Sequence, residues 1–206
     1  MQHLVLDIGG VLYRGWPDEA FWDRWTARTG LAREAIEAVL ASSPEHKAAQ
    51  VGQMTADEAF AAAGERLGVD GPLLRALAED AYLSDFNHVL AAAARRVRST
   101  GVGVSALTNS LSPEAEWRTR DGFDGLFDHI VSSFDVRAAK PDPAIFSALL
   151  ARIGAQASEV LFVDDLAGHV SAARALGFRA IHFRPTEQAL AEIAAYFPAT
   201  TDSSLR

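Results

Sequence analysis

Cysteine is absent from the chain. That excludes disulfides, thiolate metal sites and thiol catalysis. Lysine is nearly absent: Lys47 and Lys140 are the only two, and the remaining strong positive charge is arginine. The net charge is -8, and no basic patch stands against it. Nucleic acid and anionic membrane surfaces are therefore not expected partners. Arg95, Arg96 and Arg98 come nearest to a patch, but they read as the solvated face of a helix. No apolar run approaches the roughly 18 residues needed to cross a bilayer. The opening MQHLVLDIGG lacks the basic and then apolar grammar of a signal peptide. A cytoplasmic location is the expectation. The stretch 198–206 is polar and patternless and is expected to fray.

What is present is ordinary globular material. Hydrophobic residues make up 49% of the 206, enough for a real core. The length suggests one domain, or one domain carrying a sizeable insert. His3 to Ile8 reads as a short buried strand that stops at Gly9-Gly10. The next seventy or so residues are rich in Ala, Glu and Arg at helical spacing, with no convincing strand. Helices are predicted from Asp18 to Thr29, closed by Gly30, and from Ala32 to Ala41. A third opens at Thr55, where Glu58 completes a capping box, and a fourth starts at Gly71-Pro72.

From about Asn87 helices and strands alternate. Helix is predicted over Val89–Ser99, strand over Val102–Thr108, and a short helix over Pro113–Arg120. A strand follows at Ile130–Ser133, and then a helix capped by Asp142 with Pro143 at its first position. Val160–Val163 is a strand, followed by a helix to Leu176, and Ala180–Phe183 is the last clear strand. Short apolar strands between helices imply βαβ units and a parallel sheet. The expectation is an α/β fold, a Rossmann-like three-layer core over 1–13 and 85–206, with an α-helical domain inserted at 14–84.

Polar residues fall at three predicted strand ends: Asp7, Thr108-Asn109 and Asp164-Asp165. Ligands of open parallel sheets sit at that edge. Carboxylates crowded together repel one another, and a divalent cation removes the conflict. Mg²⁺ takes oxygen ligands and keeps several waters, so a few carboxylates suffice. Lys140, held in Ala139-Lys140-Pro141-Asp142-Pro143, is placed to pair with an anion. Together these residues describe phosphoryl transfer, with one carboxylate left as nucleophile. Plainer readings exist for each: the acids as helix caps, and Lys140 as a surface lysine beside a helix start.

The motifs LVLDIGGVL (4–12), ALTNS (106–110), KPDP (140–143) and LFVDDLAGHVSAARALG (161–177) resemble, in order, those of the haloacid dehalogenase superfamily. The resemblance covers about residues 1–13 and 86–190. It implies that Asp7 attacks phosphorus, that Thr108 and Asn109 meet the phosphoryl group, and that Lys140 holds it against Asp7. It implies Mg²⁺ on Asp7, the Gly9 carbonyl, Asp164 and Asp165. It also implies that the helical insert is a cap that closes over the site and sets specificity. The expected substrate is a small phosphorylated molecule, handled by a monomer or homodimer.

One position departs from the family pattern. Phosphatases of the superfamily carry a second Asp two places after the nucleophile, as general acid and base, and here that position is Gly9. A positioned general acid–base contributes about 10²–10⁴ in rate, so a substrate with a good leaving group is expected. His46, in a stretch that reads as an exposed loop, is the first candidate for a stand-in acid and substrate contact. Other readings are a 2-haloacid dehalogenase, a phosphonate hydrolase using Lys47 as a Schiff base, or a binding protein that turns nothing over. Trp16, Phe21, Trp22 and Trp25 read as the core of the insert, and His169 as a helix-face residue rather than a ligand.

Overall fold

The computed structural model describes residues 3–13, 17–82, 85–119, 122–123 and 125–198. Its centre is a parallel sheet of five strands: β1 (His3–Leu6), β2 (Gly103–Thr108), β3 (His129–Ser132), β4 (Val160–Asp164) and β5 (Arg179–His182). The order across the sheet is β3-β2-β1-β4-β5. Every residue of β1 and β4 is buried. That explains their unbroken apolar runs, because a central parallel strand is covered on both faces.

Alternation along β1 divides the core into two layers. Leu4 and Leu6 face one cluster, with Leu90 and Ala94 of α6 (His88–Ser99) and Ala189 and Ile193 of α11 (Thr186–Tyr196). Val5 faces the other, with Phe146 and Leu149 of α9 (Pro143–Ile153) and Ala173 of α10 (Ala167–Ala175). The result is the expected three-layer α/β/α, Rossmann-like arrangement. Two short helices, α7 (Glu114–Arg118) and α8 (Ser133–Val136), flank β3. The sequence reading ended at the fifth strand and missed α11, whose N-cap is Pro185 with no side-chain cap bond.

Among the described residues, five helices lie between β1 and β2, before α6: α1 (Glu19–Thr29), α2 (Arg33–Ala41), α3 (Pro44–Gln50), α4 (Ala56–Leu67) and α5 (Gly71–Tyr82). The sequence predicted four of them. It placed no helix over 44–50 and read His46 and Lys47 as exposed loop residues, although Ser43 accepts from the His46 N–H as N-cap and Pro44 opens the first turn. A Ser-Pro pair is a helix-start signal, overlooked because the helix is only seven residues long. These helices have an apolar cluster of their own, with Phe21, Trp22, Trp25, Leu40, Phe60, Leu74 and Leu77. Asp80 of α5 fastens α1 to it, accepting from Trp25 Nε1 and Arg24 Nη2, each at 2.6 Å. Trp16 and the expected boundaries at Arg14 and Ser84 lie outside the described residues, as do 199–206.

The two sides of the insertion point are joined within the core, where Asn87 caps α6 and also donates to the Val11 carbonyl and to Thr186 Oγ1. Across the sheet edge, Ser133 Oγ donates to the Gln50 carbonyl at 2.7 Å, and Arg137 to the Gly52 carbonyl at 3.2 Å. The C-terminal end of α3 therefore rests on α8. No helix among the described residues is long and apolar enough to cross a membrane.

Candidate active site

The carboxyl ends of β1, β2 and β4 bring Asp7, Thr108 and Asp164 to one rim, and Lys140 reaches it from the loop before α9. Lys140 is 3% exposed, Asp7 6%, Thr108 2% and Asp164 0%, so this is a charged cluster inside the protein. Burial of that kind requires pairing, and the pairing is present. The Lys140 ammonium lies 2.9 Å from Asp7 Oδ2 and 2.7 Å from Asp164 Oδ2, and donates to the Leu107 carbonyl at 2.9 Å. An ammonium has three protons, so all of them are engaged.

The lysine is positioned by its neighbour across the rim. Asn109 Oδ1 accepts from the Lys140 N–H at 2.7 Å, and Asn109 Nδ2 donates to the Lys140 carbonyl at 2.9 Å. Asn109 lines the cavity, but both ends of its amide bond the main chain of Lys140. Asp7 is held by the Ile8 N–H on Oδ1 at 2.7 Å, leaving its Oδ2 side to Lys140. Asp164 Oδ1 accepts from the Leu166 N–H at 2.9 Å. That bond anchors the start of α10.

His169 lies on α10, as the sequence reading had it, but it is buried, 8% exposed, and its Nδ1 lies 3.0 Å from Asp164 Oδ1. Donor atoms of Asp7, Asp164 and His169 all fall within 4.8 Å of one another. The signal available in sequence was position: His169 is in the first turn of α10, immediately beyond the acidic pair, with Val170 and Ala173 buried beside it. Asp165 is half-buried, and its carboxylate lies against Gly10 in the loop after β1.

The electrostatics are unbalanced. Three carboxylates, Asp7, Asp164 and Asp165, face one ammonium. Burial pushes Asp7 well above the usual carboxylate range, and Asp164 adds to this, although Lys140 works against it. Burial and the Asp164 charge also raise Asp165. Burial would raise Asp164 too, but Lys140 and His169 more than offset it and hold that carboxyl low. Burial opposes the charge on Lys140, while Asp7 and Asp164 keep its pKa above the ordinary value. The cluster thus lacks positive charge, and the donors nearest the gap are hard oxygens with one imidazole. A divalent cation with oxygen preference fits that set.

Above the rim is a cavity of about 590 Å³ between sheet edge and insert. Asp7, Gly9, Thr108, Asp165 and His169 line its floor. His46 lines the opposite wall; it is 6% exposed, and its Nε2 lies 3.2 Å from Gln50 Nε2. Burial lowers the His46 pKa. The loop expected around His46 is thus a helix that turns this ring inward. Lys47 is exposed on α3 and is not among the cavity-lining residues, which leaves the Schiff-base reading without its amine. Gly9 borders the cavity, and nothing lies within 4 Å of where its Cβ would stand.

The sequence model of the haloacid dehalogenase-like hydrolases matches residues 1–177. A drimenol cyclase of Aspergillus calidoustus is 27% identical over 207 residues, covering 98% of this chain and 38% of that protein. The chain thus spans well under half of that relative's length. A sesquiterpene phosphatase of Aspergillus oryzae is 25% identical over 194 residues, covering 86% of this chain and 87% of the relative. Among solved structures, a family enzyme of Bacteroides thetaiotaomicron in complex with magnesium and inorganic phosphate superposes with a TM-score of 0.73. It is 20% identical and covers 89% of this chain and 94% of its own, a likeness that establishes the fold.

Proposed function

The chain belongs to the haloacid dehalogenase-like hydrolases, and from that premise we propose that it is a Mg²⁺-dependent phosphatase of a small phosphorylated metabolite. The observation that carries this reading is the pairing of Asp7 with Lys140 at the floor of a cavity large enough for such a substrate. The similarity to a sesquiterpene phosphatase, which covers most of both chains, supports the same reading.

Asp7 is the nucleophile. Its Oδ1 is fixed by the Ile8 N–H, and Lys140 holds the other oxygen, so the carboxylate is aimed without freedom to rotate. A carboxylate oxygen of Asp7 bonds to phosphorus, and the bond from phosphorus to the ester oxygen breaks. The departing oxygen takes a proton, and water then cleaves the aspartyl-phosphate to release inorganic phosphate and restore Asp7. Thr108 donates a hydrogen bond to a phosphoryl oxygen from the end of β2. Asp7, the Gly9 carbonyl, Asp164 and Asp165 would hold Mg²⁺, with His169 beside them. Bound there, the ion neutralises the phosphoryl oxygens and the surplus carboxylate charge. The helical insert acts as a cap, excluding water and presenting His46 to the substrate.

Gly9 offers no proton to the leaving oxygen. At 1.36 kcal/mol per decade, a missing general acid–base leaves roughly 3–5 kcal/mol of barrier unrelieved. Aryl, acyl or anomeric phosphates are therefore favoured over simple alkyl phosphates. The decisive experiment is release of phosphate with and without Mg²⁺, in the native chain and in Asp7→Asn. Phosphate release that needs the ion and vanishes in Asp7→Asn is the expected result. No turnover of any phosphate ester would leave a binding protein on this scaffold. His46→Ala separates the remaining possibility: if His46 is the stand-in acid, a poor leaving group slows far more than a good one.

A further inference from the structure

The cavity has two unlike halves. Its floor holds the titratable groups described above. Its far wall comes largely from the insert and is apolar. Leu40, Phe60, Ala78 and Ala81 line it, each at most 6% exposed, and all four belong to the insert's own core. Leu111, from the loop after β2, packs against the same cluster and lines the cavity too. Side chains this well packed are fixed by the fold of the insert, so the surface they present is pre-formed.

The charges on that side do not suit an anion. Arg75 is the cation among the described insert residues that line the cavity. It is engaged by Glu79 on its own helix at 3.2 Å and by Asp57 of α4. Glu79 and Glu116 also line the cavity, and both repel a substrate carboxylate. A second anionic group on the substrate would thus meet, among the described residues of that wall, a cation already paired and two carboxylates.

We infer that the site selects monophosphates whose organic part is apolar and uncharged, lying against Phe60 and Leu111. This deepens the phosphatase reading and rests on it. Sugar phosphates bearing a carboxylate, phosphorylated hydroxy acids and diphosphorylated metabolites are disfavoured, because their second charge would be desolvated against an apolar wall without a partner. An extended apolar group gains instead. A buried methylene is worth about 0.8 kcal/mol, or roughly fourfold in affinity.

The test uses pairs matched in leaving group. With Mg²⁺, kcat/KM is compared for phenyl, 4-propylphenyl and 4-(carboxymethyl)phenyl phosphate. Binding is measured in parallel for non-hydrolysable 4-propylbenzylphosphonate and 4-carboxybenzylphosphonate. We expect the propyl compound to exceed phenyl by about tenfold or more, and the carboxylate to fall about tenfold below it. In Asp57→Asn, on the solvent side of the Arg75 pair, the gap between the two phosphonates should narrow about threefold, because Arg75 is partly released. Turnover with equal or better use of the carboxylated ester overturns the inference and leaves the phosphatase reading intact. No turnover, with the phosphonate ranking preserved, overturns the phosphatase reading and upholds the apolar preference as one of binding. Failure of both phosphonates to bind overturns the inference.

Discussion

A side chain on Gly10 would begin where the Asp165 carboxylate already lies. Gly10 also has φ 75°, a conformation that an L-residue adopts only at a cost of roughly 1–2 kcal/mol. Two requirements meet at one position: the turn that ends β1 and the approach of β4's acidic pair. Gly10→Ala should therefore displace Asp165 and strain the turn together. Isothermal titration with Mg²⁺ should read a loss of affinity of at least about tenfold, while urea unfolding reads only the modest backbone cost of about 1–2 kcal/mol. Unchanged affinity would remove Asp165 from the proposed metal site.

The next residue back behaves oppositely. Gly9 has open space around the position of a Cβ, and its φ is not in the left-handed region. Gly9→Asp should fold normally and place a carboxyl at the cavity. The expected gain is about 10²-fold on an alkyl phosphate, with little change on an aryl phosphate, so that rate depends less on leaving-group pKa. A leaving-group series that keeps its slope in Gly9→Asp would mean that another residue already supplies the proton.

Lys140 compensates two buried carboxylates at once. Lys140→Met should destabilise the protein by about 3–5 kcal/mol, the cost of stranding a buried charge partner. Mg²⁺ should recover part of this in urea unfolding, because the ion supplies the missing positive charge. A loss under about 1 kcal/mol would mean that the cluster is already balanced by protons.

Glu45 tests the insert separately from the site. Arg66 of α4 grips it with two bonds, at 2.8 and 2.9 Å, and hydrogen bonding to that guanidinium lowers the Glu45 pKa from 4.5 to about 2. A carboxyl depressed in the folded state adds stability that is complete above its unfolded pKa. That contribution is lost as pH falls from about 4.5 through about 2. Arg66 is 46% exposed, so solvent screening limits the pair to about 1 kcal/mol. Thermal unfolding of Glu45→Gln should match the native chain at pH 3 more closely than at pH 6. A constant difference across that range would dismiss the pair as a source of acid sensitivity.

The sheet was legible in the sequence because its strands are covered on both faces. Val5, Leu6, Leu161 and Phe162 form continuous apolar runs that nothing but burial explains. The acids at their ends were legible because a buried strand has no use for a terminal charge. Helix α3 was not, being only seven residues long, with a start signal that was overlooked. The burial of His46 and His169 was not legible for one shared reason. A lone histidine carries no periodic signal, and which way its ring turns depends on what packs around it.

The residue order alone therefore determined the α/β class, the interruption by helices, and which acids and which lysine lie near strand ends. Those follow from local rules: hydrophobic periodicity, caps and turn residues act within a few positions of one another. Only tertiary structure decided that Lys140 is shared between Asp7 and Asp164, that Asn109 sets that lysine in place, and that the wall facing them is apolar. Those contacts join residues far apart along the chain, through distances that no local pattern encodes.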